Sequence, residues 1–363
     1  MIRTLTTRWT VIVPLLAAVA LAVTWGRSLP SVAVVVVVVA LAGAVLAAVY
    51  HAEVVAHRVG EPFGSLVLAV AVTVIEVALI VTLMISGGDK AASLARDTVF
   101  AAVMITCNGI FGLSLLVGAL RRRVAVFNAE GTGAALATVA TLATLTLVVP
   151  TFTSTKQGPE FTPGQLAFAA VASLLLYGLF VMVQTVRHPD DFLPVEGDGA
   201  VGEDDAHDER PTVRATLISL ALLLVALVGV VGLAKQVSPA IESGIASAGL
   251  PPSAVGVVIA LLVLLPETLA AVRAARRDRV QISLNLALGS AMASIGLTIP
   301  AIAVATIWLK GPLVLGLGAT QMVLLALTVV VGVLTVVPGR ATLLQGGVHL
   351  AVFSAFVFLA ASP

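Results

Sequence analysis

Charge is scarce in this chain: of 363 residues, 11% are Asp, Glu, Lys or Arg, and a single one is cysteine. Soluble domains carry about 25% charged residues, so this chain cannot clothe a water-facing globule. With Cys107 alone, no intrachain disulfide forms and no disulfide scaffold is available. Aromatics make up 5%, and the twenty Lys and Arg stand singly or in short clusters, which excludes a basic, aromatic-laced groove for nucleic acid. What abounds is apolar: 59% of residues are hydrophobic and the mean hydropathy is +1.11. Such a composition excludes disorder and selects the lipid bilayer as the partner of most of the surface.

In hydrocarbon a helix satisfies its own backbone, and about 20 apolar residues cross the core. By that rule the chain reads as an all-α polytopic membrane protein with eleven spans: 10–25, 31–50, 64–85, 99–120, 132–149, 165–186, 215–234, 255–272, 283–309, 313–336 and 343–359. Pro300 is expected to kink or interrupt the ninth. The first could be a signal peptide, but 23–28 offers no convincing small-residue cleavage site, and a retained helix is the reading adopted. With the N-terminus cytoplasmic and the C-terminus outside, alternation puts fourteen Lys and Arg in cytoplasmic segments and six on the other side, as the positive-inside rule requires.

Nine of the nineteen acids fall between Asp190 and Glu209, so 188–212 reads as an acidic, solvated cytoplasmic linker. It divides an N-terminal helix (1–30) and a first five-helix repeat (31–187) from a second five-helix repeat (213–363). An odd number of spans inverts the second set relative to the first, as in inverted-repeat transporters, whose sites lie near the midplane where the halves meet.

Within the eleven predicted spans the formally charged residues are Glu76 and Glu267. Each belongs to the second span of its half. Glu76 lies twelve residues after Gly64 and Glu267 twelve after Val255, which is roughly 18 Å into a core of about 30 Å. Pro266 directly before Glu267 frees a carbonyl one turn earlier, able to face a cation where the backbone lines a cavity. Thr73 shares a helix face with Glu76. Asn108, Asn285, Ser290 and Ser294 add neutral oxygen donors in the following spans of the two halves.

A carboxylate at the bilayer centre tends to be protonated, paired or cation-bound, and no Lys or Arg lies in the predicted spans to pair with either acid. Two protons or one divalent cation would leave the pair with the same net charge. Exchange follows if the loaded forms reorient and the empty dianion does not. Hard oxygens suit Ca²⁺, and Na⁺ or K⁺ could use similar donors; no Cys or His cluster marks a zinc or copper site. An integral-membrane enzyme using the glutamates as acid and base is the rival class, disfavoured by the absence of a nucleophile or phosphate-binding loop. No cofactor is expected, and self-association is left open.

The segments Gly60-Glu61-Pro62-Phe63-Gly64, Val74-Ile75-Glu76-Val77, Asn108-Gly109-Ile110, Leu265-Pro266-Glu267 and Asn285-Leu286-Ala287-Leu288-Gly289-Ser290 together resemble those of bacterial Ca²⁺/H⁺ antiporters of the ChaA type, in the cation/Ca²⁺ exchanger superfamily. The resemblance implies eleven helices, two inverted repeats, residence in the bacterial inner membrane and proton-driven Ca²⁺ export, with Na⁺ and K⁺ exchange in some relatives. Glu76 and Glu267 match the repeat glutamates; the broader family's Gly-Asn-Ala-type run before them is absent here. Glu53, Glu61 and Glu130 read as interfacial, Glu61 being the candidate for ion access. His51, His57 and His349 read as satisfied histidines, and Cys107 as a packing residue.

Overall fold

The computed structural model describes residues 2–27, 29–60, 63–195, 211–308 and 311–362. Glu61 and residues 196–210 of the acidic linker lie outside the described residues. The helices are α1 (Ile2–Thr24), α2 (Ser31–Val59), α3 (Phe63–Gly87), α4 (Leu94–Arg122), α5 (Ala129–Phe152), α6 (Pro163–Arg187), α7 (Val213–Ser247), α8 (the bent pair Ala254–Val263 and Leu265–Arg276), α9 (Val280–Ala305), α10 (Ala319–Val336) and α11 (Leu343–Ala361). Among the described residues nine are long and apolar enough to cross a bilayer, ten if α8 is one span, while the apolar part of α1, Trp9–Thr24, is shorter.

Local chemistry sets many of the ends. Asn128 caps α5 by accepting from the N–H groups of Glu130 and Gly131, Thr162 and Gln165 form a reciprocal capping box on α6, and Thr212 caps α7. Arg123 stops α4 with a φ of 66°. Three helices widen to π turns, at Ile105–Ile110 in α4, Thr144–Val148 in α5 and Val183–Arg187 in α6, which the apolar periodicity did not reveal.

Several helices overrun the spans read from hydropathy. α2 continues to Val59 and α7 to Ser247, because Ala-, Val- and Ser-containing sequence propagates a helix past the hydrocarbon edge. The overhangs carry Glu53, Arg58, Lys235 and Glu242, so freedom from charge belongs to the apolar stretches and not to whole helices. α10, in contrast, starts at Ala319 and not near 313. Residues 314–317 are not helical, and their N–H groups donate to the Ala92, Pro159 and Leu147 carbonyls, because Pro312, Gly316 and Gly318 disfavour a helix there. The interruption expected in α9 is present at Leu297, between Gly296 and Thr298. Pro300 lacks the N–H that the Gly296 carbonyl would need.

Contacts sort the connections into two ends. At one, β1 (Val124–Val126) pairs antiparallel with β2 (Arg340–Thr342), Arg121 and Arg122 reach Asp278, and the Asn128 N–H donates to Gln281 Oε1. The turn Pro189–Phe192 docks there, with Phe192 buried edge-on against Phe180, so the linker begins as packed structure. At the opposite end, residues 314–316 join the α3–α4 and α5–α6 connections, and Lys235 lies over the Trp25 ring.

Two apolar cores fill the bundle. One gathers α1, α2 and α7; the other gathers α4, α5, α6, α9, α10 and α11. α3 and α8 feed both: Ile75, Leu79, Ile259 and Val263 into the first, Ile80, Ala260, Leu264 and Ala271 into the second. They form the seam. The outward faces carry exposed Val35, Val39, Leu175, Leu224, Leu334 and Phe358, the surface a lipid-facing bundle presents.

Candidate functional site

α3 is uninterrupted around Glu76, which is 2% exposed. Its Oε2 accepts a hydrogen bond from the Ser294 hydroxyl at 3.0 Å. Thr298, one turn further along α9, acts on the same carboxylate, and its buried hydroxyl has no hydrogen-bond partner among the described residues. Oε1 has no protein partner.

The equivalent stretch of the second half is broken. Leu264 ends the first piece of α8, the chain bends by 54°, and Leu265 starts the second. Pro266 at the start of that piece is pre-set for a helix N-terminus and removes a donor from the preceding turn. Glu267 therefore sits in a first helical turn, where bare N–H groups and the helix dipole favour negative charge. Its Oε2 is buried without a partner. The side chain lines a cavity of about 260 Å³ together with Ser290, Asn285, Gln184 and Tyr177. Among the described residues no Lys or Arg lines it. Glu76 and Glu53 are both close enough to Glu267 to act on it electrostatically, and Glu53 is exposed beside Arg273.

α9 connects the two acids. Ser290, Ser294 and Thr298 recur every four residues and form one polar column; Ser290 lines the Glu267 cavity and Ser294 binds Glu76. Thr298 was missed in the sequence, although continuing the four-residue spacing past Ser294 points to it. Gln184 was missed too, because a lone amide near a helix end carries no pattern.

Of the other sequence candidates, Asn285 lines the Glu267 cavity and Thr73 and Asn108 do not. Thr73 is buried on α3 beside an apolar groove with Leu297 and Ala301. Asn285 borders the cavity, but its amide donates to the Phe192 carbonyl and accepts from Gln281. Asn108 is fully buried in the α4 π turn and belongs to a different cluster. Its Nδ2 donates to Thr328 at 2.8 Å, and its Oδ1 faces His349 Nδ1 at 3.2 Å. His51 binds the Thr10 carbonyl, holding α2 to α1, and Cys107 is buried in the core.

No group of three or more His, Cys, Asp or Glu gathers among the described residues. What converges instead is carboxylate and hydroxyl oxygen with unfilled lone pairs. Such oxygens take either a proton or a hard cation, and desolvation leaves them costly with neither.

Buried acids with hydroxyl donors at the seam of a polytopic helical bundle mark an intramembrane ion site. The model of the sodium/calcium exchanger protein family matches residues 10–186 and 218–361, and the chain belongs to that family. It is 46% identical over 358 residues (98% of this chain, 96% of the relative) to y4hA of Sinorhizobium fredii, described provisionally as an ionic transporter. It is 35% identical over 351 residues (95% and 94%) to the sodium-potassium/proton antiporter ChaA of Escherichia coli. Among solved structures the fold resembles native YfkE, with a TM-score of 0.70, 17% identity and coverage of 98% and 99%. It resembles the H⁺/Ca²⁺ exchanger CAX equally, with a TM-score of 0.70, 17% identity and coverage of 95% and 86%. The chain is thus a ChaA-type member of the cation/Ca²⁺ exchanger superfamily, a multi-pass antiporter of cations.

Proposed function

We propose that this protein exports Ca²⁺ from the cytoplasm in exchange for protons by alternating access, with Glu76 and Glu267 as the shared site and Ser290, Ser294 and Thr298 as neutral donors. The observation carrying this reading is the α9 column, which touches Glu76 at one level and the Glu267 cavity one turn away. One divalent ion or two protons neutralise the pair equally. The unloaded dianion, buried without cationic partners, is the form least able to reorient.

The same reading makes 31–187 and 213–363 inverted five-helix repeats. It is supported by reciprocal packing: α3 lies on α9 and α8 lies on α4, the second helix of each half against the third of the other. The end holding β1, β2 and Arg121 faces the cytoplasm, because the basic connections gather there. The N-terminus is then cytoplasmic, the C-terminus outside, and the membrane the bacterial inner membrane. A second reading keeps this mechanism with Na⁺ or K⁺ as the ion, favoured by the name of the Escherichia coli relative.

The test is ion-driven proton movement in inside-out vesicles with Ca²⁺, Na⁺ and K⁺ in turn, for the parent and for Glu76→Gln and Glu267→Gln. Each substitution abolishes exchange while the protein still inserts. Coupled transport persisting in both variants overturns the mechanism, and the ion that drives the parent signal selects between the readings.

A further inference from the structure

The cavity that holds Glu267 contains a polar group from outside the two glutamate helices and their successors. Gln184 belongs to α6, and it sits where that helix widens into the π turn Val183–Arg187. π turns cost regular hydrogen bonding and recur at functional sites. Here the turn is closed by the His188 N–H donating to the Val183 carbonyl at 2.8 Å. The amide of Gln184 is half-buried, lines the cavity and makes no hydrogen bond among the described residues. Around it the wall is apolar, with Phe180, Val181 and Ile282 as neighbours in the lining.

Position along the helix gives the amide its meaning. Gln184 is three residues from the end of α6 at Arg187, the end that also holds the docked turn Pro189–Phe192. Asn285 near the start of α9 is at the same end, but its amide is committed to Phe192 and Gln281. Among the described residues lining the cavity, Gln184, Tyr177, Ser290 and Glu267 therefore remain as side chains with oxygen free for a ligand, and Gln184 is the one nearest the α6 terminus. Counted along their helices from this end, Gln184 is three residues from Arg187, Glu267 nine from Arg276 and Ser290 ten from Val280. A hydrated hard cation moving inward must exchange water for protein oxygen, and an apolar wall offers none.

We infer that Gln184 is the first protein ligand for the cation on the cytoplasmic side, a neutral amide oxygen that replaces water before the ion reaches Ser290 and Glu267. This rests on the exchange reading above and adds a side-specific determinant of apparent affinity. A neutral donor suits this place: it binds weakly enough to release the ion onward, whereas a carboxylate there would retain it.

The experiment measures cation-dependent proton movement in sealed vesicles of both orientations, for the parent and for Gln184→Leu, Gln184→Asn and Gln184→Glu. In inside-out vesicles, Gln184→Leu raises the half-saturating cation concentration about tenfold with the maximal rate per inserted protein nearly kept. Gln184→Asn restores much of the difference, and Gln184→Glu lowers the half-saturating concentration and slows the maximal rate. In right-side-out vesicles the half-saturating concentration stays at the parent value for all three. Equal values in every variant, or equal shifts at both faces, overturn the inference. Its failure is distinct from failure of the exchange reading, which is reported by the parent signal and its loss in Glu76→Gln.

Discussion

Ser294 donates its hydroxyl proton to Glu76 Oε2 at 3.0 Å, joining positions 218 residues apart in the chain. The bond ties α9 of the second half to α3 of the first at the level of the buried acid. A hydrogen bond to a charged group contributes about 1.5–3 kcal/mol, so Ser294→Ala is expected to raise the half-saturating cation concentration about tenfold or more. Ser294→Thr keeps the donor and stays near the parent. Titrating exchange against cation in vesicles checks this, and unchanged saturation in Ser294→Ala would remove Ser294 from the site.

Asn108 invites the opposite expectation. Its Nδ2 donates to Thr328, so its Oδ1 is the atom facing His349, and His349 Nδ1 must carry the proton. The other ring nitrogen then accepts from Thr335. This closed, neutral network braces α4 against α10 and α11. Asn108→Ala removes the acceptor of the buried His349 Nδ1 proton and a donor to Thr328, whose hydroxyl keeps its bond to the Leu324 carbonyl; it is expected to cost about 1–3 kcal/mol of stability, read as earlier thermal unfolding in detergent, while cation saturation of the inserted protein is unchanged. A stable variant with weakened cation dependence would return Asn108 to the ion path.

The sequence disclosed most where a physical penalty stands alone. Two acids amid apolar spans are expensive, so Glu76 and Glu267 stand out in the sequence alone; Pro266 is read there as freeing a carbonyl, while the 54° bend that divides α8 is seen only in the fold. Ser294 was legible as a hydroxyl one turn from Ser290. Thr298 was passed over although the four-residue spacing reaches it, and Gln184 could not be singled out, because a lone amide in the α6 π turn leaves no hydropathy signal. For Asn108 the residue type suits a ligand, but only the fold shows which neighbours occupy its amide. Helix overruns escaped for a simpler reason: hydropathy measures the thickness of hydrocarbon, whereas backbone hydrogen bonding continues beyond it.

Close packing between α4 and α11 rests on a pair of glycines. A Cβ on Gly346 would lie 2.8 Å from the Leu116 nitrogen and 3.0 Å from the Gly112 carbonyl oxygen. Both are backbone atoms that cannot swing aside. Gly346→Ala is therefore expected to destabilise by about 1–3 kcal/mol. Gly178→Ala on α6, where nothing lies within 4 Å, should gain about 0.5–1 kcal/mol from helix propensity. Thermal unfolding in detergent orders the three proteins, and Gly346→Ala matching the parent would refute the contact.

Proton and cation occupancy of one oxygen site imposes a sign on the pH dependence. With Glu76 Oε1 and Glu267 Oε2 both lacking protein partners, each can take either ligand, and binding the cation must expel whatever protons it displaces. Linkage then makes the half-saturating cation concentration fall as pH rises, by about tenfold per pH unit for each proton displaced over the range where the free site is protonated. A slope approaching two protons per ion is expected for Ca²⁺ with both acids present. Glu76→Gln or Glu267→Gln should reduce the slope of residual binding to one proton or fewer, measured by cation titration of purified protein at several pH values. Cation binding independent of pH in the parent would mean that the proton and the cation occupy different places, and a shared carboxylate site could not explain their exchange.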